Sequence, residues 1–418
     1  MATILENPST TNLKFAHDQK AASIVQTHEF NPLQERKHKR TIDESSAAGD
    51  KAVPSKKARV DSATEHDIAT PRTQNALLVT PERNYRVETS FPVPQDLAKD
   101  EIMIRSRAVG LNHIDWKSVE WNFCLPDFPW VTGREMAGVV AKVGSDVSHV
   151  KPADAVWTST YYKDRRAGCF QEMVVVPKHT VFAIPECIDF AAAASLGVCG
   201  LTAAMSLWHW LDIPMPAASN SASTSSELKE KPNEKDVLLI WGGSTVTGQF
   251  AIQLAAQAGI EIIAVCSSSN TELVLSLGAA HVVSYNGKTN YHIIGEILCL
   301  ARGRLTKAID VVGNDTARQV LKVIEACGRP VEFAPLAFIS SKDKVPANAT
   351  IHTVEMKRFI LDTKSEKYGA KLNEMVADGS VKMPKIKLLE GGLDAIEGGL
   401  LKLKNGSLAG EKLIVPIP

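Results

Sequence analysis

Between Leu238 and Asn270 the chain reads LLIWGGSTVTGQFAIQLAAQAGIEIIAVCSSSN: an apolar run, a glycine turn, an amphipathic stretch and a second apolar run. A turn of this kind between a buried strand and a helix leaves backbone N–H groups at a helix N-terminus, where they and the helix dipole bind a diphosphate. The spacing is Gly242, Thr245, Gly248, with threonine where a middle glycine is usual. Gly242, Gly243, Ser244, Thr245, Val246 and Thr247 are therefore candidate contacts for a dinucleotide; the alternative is an ordinary tight strand–helix turn. The second run closes on Cys266, and Ser267, Ser268, Ser269 and Asn270 follow. A site for NAD usually places Asp or Glu there to grip both ribose hydroxyls, and a carboxylate repels a 2′-phosphate. Hydroxyls and an amide instead suit NADPH, although no Arg or Lys stands in the turn. Tyr285, closing the next apolar run, could stack on the adenine, reach the phosphate or merely cap the sheet edge.

A second set of candidates lies in FAAAASLGVCGLTAAMSLW, Phe190 to Trp208, an uncharged stretch almost long enough to cross a bilayer. Its Ala, Gly, Ser and Thr content and its lack of a positive flank predict a buried helix and no membrane partner. Thr202 puts a hydroxyl into this run. It could position a nicotinamide amide or an acyl carbonyl, or bond back to its own helix. Ala203, Ala204, Met205, Ser206, Leu207, Trp208, His209 and Trp210 follow as the candidate lining of an acyl channel, which Trp208 and Trp210 would make bulky unless they belong to the core. His113 titrates near neutral pH in water, so it could donate a proton; a packed or solvated histidine is the alternative.

The elements that must position these groups follow from periodicity. From Val237 onward strands alternate with helices through "HVVSY", "KAIDVVG" and "RPVEFAP", which predicts a parallel sheet covered by helices. From Thr73 to about Trp157 short alternating runs break at Pro and Gly, as in a compact β-barrel. The last stretch, GEKLIVPIP, is an apolar strand that is free to return to that barrel. Residues 1 to about 70 have few aromatics and no sustained period, which predicts a disordered tail. Its basic clusters, Arg36–Arg40 and Lys56–Arg59, are spaced like a bipartite nuclear-import signal or belong to a solvated polyampholyte. A Pro/Ser-rich stretch after Trp210 predicts an exposed loop.

Composition narrows the classes. The 418 residues hold 47 basic and 47 acidic side chains, which argues against general nucleic-acid binding. Seven scattered cysteines without a C-x-x-C pair read as reduced intracellular thiols. MATILENPSTTNLKF lacks a basic start before an apolar block, so no secretory signal is expected and the location expected is cytoplasmic, or nuclear if the basic clusters work.

Together, AVGLNHIDWK, VTGREMAGVVAKVGSDV, GCFQEMVVVP, AAAASLGVCGLTAAMSL, GGSTVTGQ and GEKLIV resemble the medium-chain dehydrogenase/reductase superfamily. Within it, the GGST-x-T-G turn, the S-x-x-N after the second strand and the Pro/Ser-rich insert are most similar to fungal trans-acting enoyl reductases of polyketide pathways. The resemblance implies an α/β chain: a GroES-like β-barrel domain from 73–205 and 366–418, and a Rossmann-type doubly wound parallel-sheet domain from 206–365. It implies NADPH, an enoyl thioester substrate and a polyketide synthase as a partner. It also implies that Lys117, which the sequence alone reads equally well as a surface lysine, lies near the nicotinamide, binding a ribose hydroxyl or polarising the substrate carbonyl, with Ile114, Asp115 and Trp116 around it. Phe333, Ala334, Ala409 and Gly410 match cofactor-contact positions. Zinc-dependent relatives carry Cys and a G-H-E motif where this chain has Asn112 and Gly133-Arg134-Glu135, and neither amide nor guanidinium replaces thiolate and imidazole. No zinc is expected, and Arg134 is expected to pair with Glu135 or another acid. Two other readings remain open: a quinone or small-enone reductase acting on free molecules, and a non-catalytic NADP-binding regulator with a nuclear-import tail.

Overall fold

The computed structural model describes residues 71–418 except 123, 162, 217–235, 407 and 409. The expected disordered tail with its basic clusters, most of the Pro/Ser-rich loop and Ala409 lie outside the described residues.

The first half is antiparallel. Strands β1 (Thr73–Val79), β2 (Tyr85–Pro92), β3 (Glu101–Gly110), β4 (Trp130–Val131), β5 (Glu135–Val143), β6 (Ala155–Ser159), β7 (Met173–Pro177) and β8 (Val181–Ala183) form two sheets. The smaller has the order β2-β1-β4. In the larger, β3 lies between β5 and β7 while β6 and β8 continue beyond β5. Val140, Val156, Val174 and Val176 are inward members of these strands and pack with Leu77, Phe170 and Met136. The alternation of apolar and polar residues is what an antiparallel sheet with one solvated face requires.

The second half is parallel. Strands β9 (Val237–Trp241), β10 (Glu261–Cys266), β11 (His281–Ser284), β12 (Leu305–Asp310), β13 (Val331–Pro335) and β14 (Ala349–Ile351) lie in the order β11-β10-β9-β12-β13-β14. Every residue of β9 is buried, as in a central strand covered by helices on both faces. The strand order reverses between β9 and β12, so a crevice opens at their carboxyl ends, the place where doubly wound sheets bind ligands. The glycine turn, Ser267, Tyr285 and Val311 follow β9, β10, β11 and β12 respectively, so the topology gathers them at this one end.

Two features join the halves. Strands β15 (Ile386–Leu388) and β16 (Lys412–Pro416) return to the barrel, where β16 pairs antiparallel with β3, Ile414 opposite Gly110. The helix Phe190–Trp210 packs in one core with Trp157 and Phe182 of the barrel and with Leu238, Ile240 and Phe250 of the parallel half. Of its apolar window 78% is buried inside the protein, which accounts for the absence of charge without a bilayer. It is not a uniform α-helix: π-turns at Leu196–Gly200 and Ser206–Trp210 flank the α-helical Leu201–Met205. Such turns recur at functional sites, and here they bracket Thr202.

Candidate cofactor and active site

The glycine turn has the shape that the sequence requires. Gly242 has φ +95°, and a Cβ there would stand 2.6 Å from Val312 Cγ2. A Cβ on Gly248 would stand 2.2 Å from the Gly242 carbonyl oxygen, so the helix can begin this close to the strand only with glycine at that position. Thr245, the residue in place of a glycine, caps the helix Val246–Gln257: its hydroxyl accepts from Gly248 N–H at 3.0 Å and donates to the Gly242 carbonyl at 2.9 Å. Among the described residues the N–H groups of Ser244, Val246 and Thr247 find no acceptor in the chain. Three free donors at a helix N-terminus are what a diphosphate takes up. The Thr245 hydroxyl turns inward, to its own backbone, and does not fill that nest.

The rim beyond β10 holds no acid. Ser267 Oγ lies 3.0 Å from Ser269 Oγ and accepts from Asn270 Nδ2 at 2.9 Å, while Ser268 N–H donates to Asn286 Oδ1 at 2.7 Å. Ser268 and Ser269 are exposed, and Tyr285 beside them is half exposed. The one lysine tied to this rim, Lys288, whose N–H binds the Tyr285 carbonyl, gives its ammonium to Glu296 at 2.6 Å.

The helix His113–Glu120 carries the next group. The Asp115 carboxylate reaches back to the Asn112 N–H at 2.9 Å, which fixes the helix start. Lys117 is half-buried with its ammonium 5.6 Å from the ring centres of both Trp116 and Trp121, and no carboxylate pairs with it among the described residues. Burial holds that ammonium below the usual lysine range. An unpaired, desolvated cation is suited to a developing enolate oxygen. His113 accepts from Trp116 Nε1 at 3.3 Å through Nδ1. Burial, with Lys117 and Lys412 nearby, pushes it down to about 4. It is therefore neutral at pH 7 and is not the imidazolium acid that its type allowed. Thr202 is buried, and among the described residues its hydroxyl has no partner, so it does not bond back to its helix. Thr247 of the turn faces the Cys199 thiol, one helical turn before Thr202.

Several expectations need correction. Ala203, Ala204, Met205 and Leu207 expose no surface at all and belong to the shared core. A residue without accessible surface cannot line a channel; the sequence shows that the run is apolar but not whether it faces a cavity or another helix. Ser206 and Trp208 are buried too, Trp208 stacked on Tyr368 at 6.4 Å, so only His209 and Trp210 retain exposure. The side chains of Phe333 and Ala334 are fully buried, and the Phe333 carbonyl accepts from His352 N–H at 2.8 Å, so a cofactor contact here is one to the backbone of Ala334. Asp115 is likewise fully buried and acts on its own helix, while Ile114 and Trp116 are partly exposed. Gly410, by contrast, lies against the turn: Gln249 Nε2 bridges its carbonyl at 2.7 Å and that of Ser244 at 3.0 Å. Of the acids expected to pair with Arg134, the structure favours Asp115, whose carboxyl burial pushes up and the Arg134 guanidinium draws back down, while Glu135 has other partners. Its carboxylate is held by Lys412 at 2.5 Å, Asn112 Nδ2 at 2.8 Å and Val198 N–H at 2.6 Å, and Arg134 lies over the Tyr161 ring.

Sequence reasoning missed Gln249, Lys412 and Asp310. Asp310 had a signal, being the one acid in the apolar end of its strand. Its Oδ1 accepts from Val312 and Gly313 N–H at 3.2 and 2.9 Å, which shapes the wall opposite Gly242. Oδ2 is buried without a partner. Burial pushes the carboxyl up to about 6, against the bonds from Thr316, Gly313 and Val312. With the folded value above the unfolded one, stability is lost as pH rises from about 4 to about 6 and stays lost above. Asp310→Asn should therefore be more stable than the parent at pH 7, by up to about 3 kcal/mol, and equal to it at pH 4. Melting curves at both pH values check this; the same gain at pH 4 and pH 7 would contradict it.

The family pattern described as "Alcohol dehydrogenase GroES-like domain" matches residues 98–186, and that described as "Zinc-binding dehydrogenase" matches residues 247–374. The "Trans-enoyl reductase buaC" of Petromyces alliaceus is 29% identical over 365 residues, covering 82% of this chain and 97% of the relative. The "Trans-enoyl reductase iccB" of Talaromyces variabilis is 29% identical over 387 residues, covering 84% and 98%. Among solved structures, a quinone oxidoreductase of Pseudomonas syringae superposes with a TM-score of 0.65 at 21% identity, covering 83% of this chain and all of that one. The CurK enoyl reductase gives 0.64 at 20% identity, covering 82% and 100%. The chain belongs to the medium-chain dehydrogenase/reductase superfamily. It is an oxidoreductase of a kind that uses a nicotinamide cofactor. The zinc in the second pattern's description does not fit these residues: between Asn112, Glu135 and Cys199 stands the Lys412 ammonium, 2.7 Å from Asn112 Oδ1, and a divalent cation there would face a buried positive charge. Among the described residues no group of three or more His, Cys, Asp or Glu could hold a metal ion.

Proposed function

We propose that this chain is an NADPH-dependent, zinc-independent reductase of the C=C bond of an α,β-unsaturated acyl thioester, serving a polyketide or similar secondary-metabolite synthase. The observation that carries the reading is the pairing of three free N–H donors at Ser244, Val246 and Thr247 with a Ser267–Asn270 rim that has no carboxylate. The similarity to fungal trans-enoyl reductases over most of both chains supports the substrate class. When bound, the nicotinamide supplies the hydride for the β-carbon. The protein's part is to orient and to balance charge. The turn anchors the diphosphate. The Lys117 ammonium stabilises the carbonyl oxygen as it becomes an enolate, and the Thr202 hydroxyl holds the carbonyl or the carboxamide in line.

The test is NADPH oxidation with crotonyl and longer enoyl thioesters set beside free quinones and small enones. Turnover of thioesters well above that of quinones is expected. Turnover of quinones alone would instead make the chain a reductase of free molecules. Binding of NADPH with no oxidation by any acceptor would make it a regulator.

A further inference from the structure

We propose that Lys412 is a positioning residue: its buried ammonium sets, from one point, the three segments that carry the cofactor turn, Lys117 and Thr202. Lys412 opens β16 and is 2% exposed. Its Nζ lies 2.5 Å from Glu135 Oε1, 2.7 Å from Asn112 Oδ1, 3.1 Å from the Leu111 carbonyl and 3.5 Å from Cys199 Sγ. The four acceptors lead to two parts of the site, and the chain just before Lys412 leads to the third. Leu111 and Asn112 start the helix that bears Lys117. Cys199 precedes Thr202 by three residues, and Glu135 Oε2 holds Val198 N–H at 2.6 Å. Two residues before Lys412, Gly410 takes the Gln249 amide that also grips Ser244. Room for the carboxylate comes from Gly110, where a Cβ would stand 2.4 Å from Glu135 Oε1.

The ionic choice needs a reason, because an apolar side chain in place of a buried pair is often at least as stable. Burial would lower the Lys412 ammonium, but the Cys199 sulfur and the Glu135 carboxylate outweigh it and keep the group charged. What such a cluster adds over hydrocarbon is direction: bonds of set length to four groups that are otherwise joined only through the core. The cluster sits where zinc-dependent relatives hold their metal ligands, and it supplies there a cation that belongs to the chain.

The inference rests on the proposed function only in assigning Lys117 and Thr202 to the substrate; its cofactor arm does not. Lys412→Met leaves Glu135 an orphaned buried carboxylate and should lower Tm. Lys412→Met with Glu135→Gln removes both charges and should regain most of that Tm. If Lys412 positions the site, the double variant still has kcat about 100-fold below the parent, with NADPH Kd raised severalfold in a fluorescence titration. A double variant that regains parental Tm, kcat and NADPH Kd together would overturn the proposal, because Lys412 would then only neutralise Glu135. Should the double variant not fold, Asn112→Ser decides, since it leaves the Lys412–Glu135 pair in place: a fall in kcat at near-parental Tm supports positioning, and an unchanged kcat overturns it. Failure of the parent to reduce thioesters would count against the proposed substrate, while the NADPH titration would still test Lys412.

Discussion

Replacing Lys117 with alanine lowers kcat by about 100- to 1,000-fold, the loss typical of removing one donor to a developing oxyanion, and leaves Tm almost unmoved. The two halves of this expectation have separate causes. Among the described residues the ammonium makes no ion pair, so the fold loses contacts with the faces of Trp116 and Trp121, worth about 0.5–1 kcal/mol each at exposed sites. Because the group is partly desolvated, losing its charge relieves a cost at the same time as those contacts vanish. The transition state, however, loses a cation whose charge neutral water does not supply. Steady-state kinetics beside a melting curve separates the outcomes. Loss of folded protein in step with loss of activity would remove Lys117 from the site. The pH profile gives a second readout: the alkaline limb of the parent lies below the ordinary lysine range, following the lowered value, and is missing in Lys117→Ala.

The second large effect concerns the coenzyme. NADPH should bind about 10- to 100-fold more tightly than NADH, because Ser267, Ser268, Ser269 and Asn270 offer hydroxyls, an amide and no opposing charge to a 2′-phosphate. Ser267→Asp puts a carboxylate at the end of β10. It should cost NADPH about 2 kcal/mol, roughly 30-fold in Kd, while NADH gains a partner for its ribose hydroxyls. Fluorescence titrations of both proteins with both coenzymes check the expectation. Equal affinity of the parent for NADPH and NADH would show that the hydroxyl rim has no part in selection. Among the described residues no cationic side chain is placed on this rim to grip a phosphate, since Lys288 is given to Glu296, so the preference expected here comes from the absence of repulsion and from neutral donors.

The sites that sequence reading found and those it lost differ in kind. The turn was legible because a strand, a glycine and a helix in close succession leave few geometries for the backbone, and Gly242 and Gly248 occupy positions where a Cβ collides. The carboxylate-free rim was legible because a parallel strand ends where its apolar run ends. The reading of 203–210 as a channel did not hold for its apolar members, because an uncharged helix looks the same whether its neighbour is a ligand or another helix. Here the neighbours are the core residues Leu238, Phe250 and Leu372. The sequence also hides that the short β14 pairs with β13 as far as Phe333, which leaves Ala334 beyond the pairing.

By itself the sequence determined the two textures of the chain, the alternating strands of the barrel and the β–α units of the nucleotide sheet, and with them the place of the glycine turn. Those follow from local periodicity and backbone sterics, which need no knowledge of distant residues. Only the tertiary structure decided that Lys412 meets Asn112, 300 residues earlier, that Gln249 ties Ser244 to Gly410, and that the Lys117 ammonium lies against Trp116 and Trp121. These depend on β16 returning to pair with β3, and a contact made by closing so long a loop leaves no trace in the spacing of residues on either side of it.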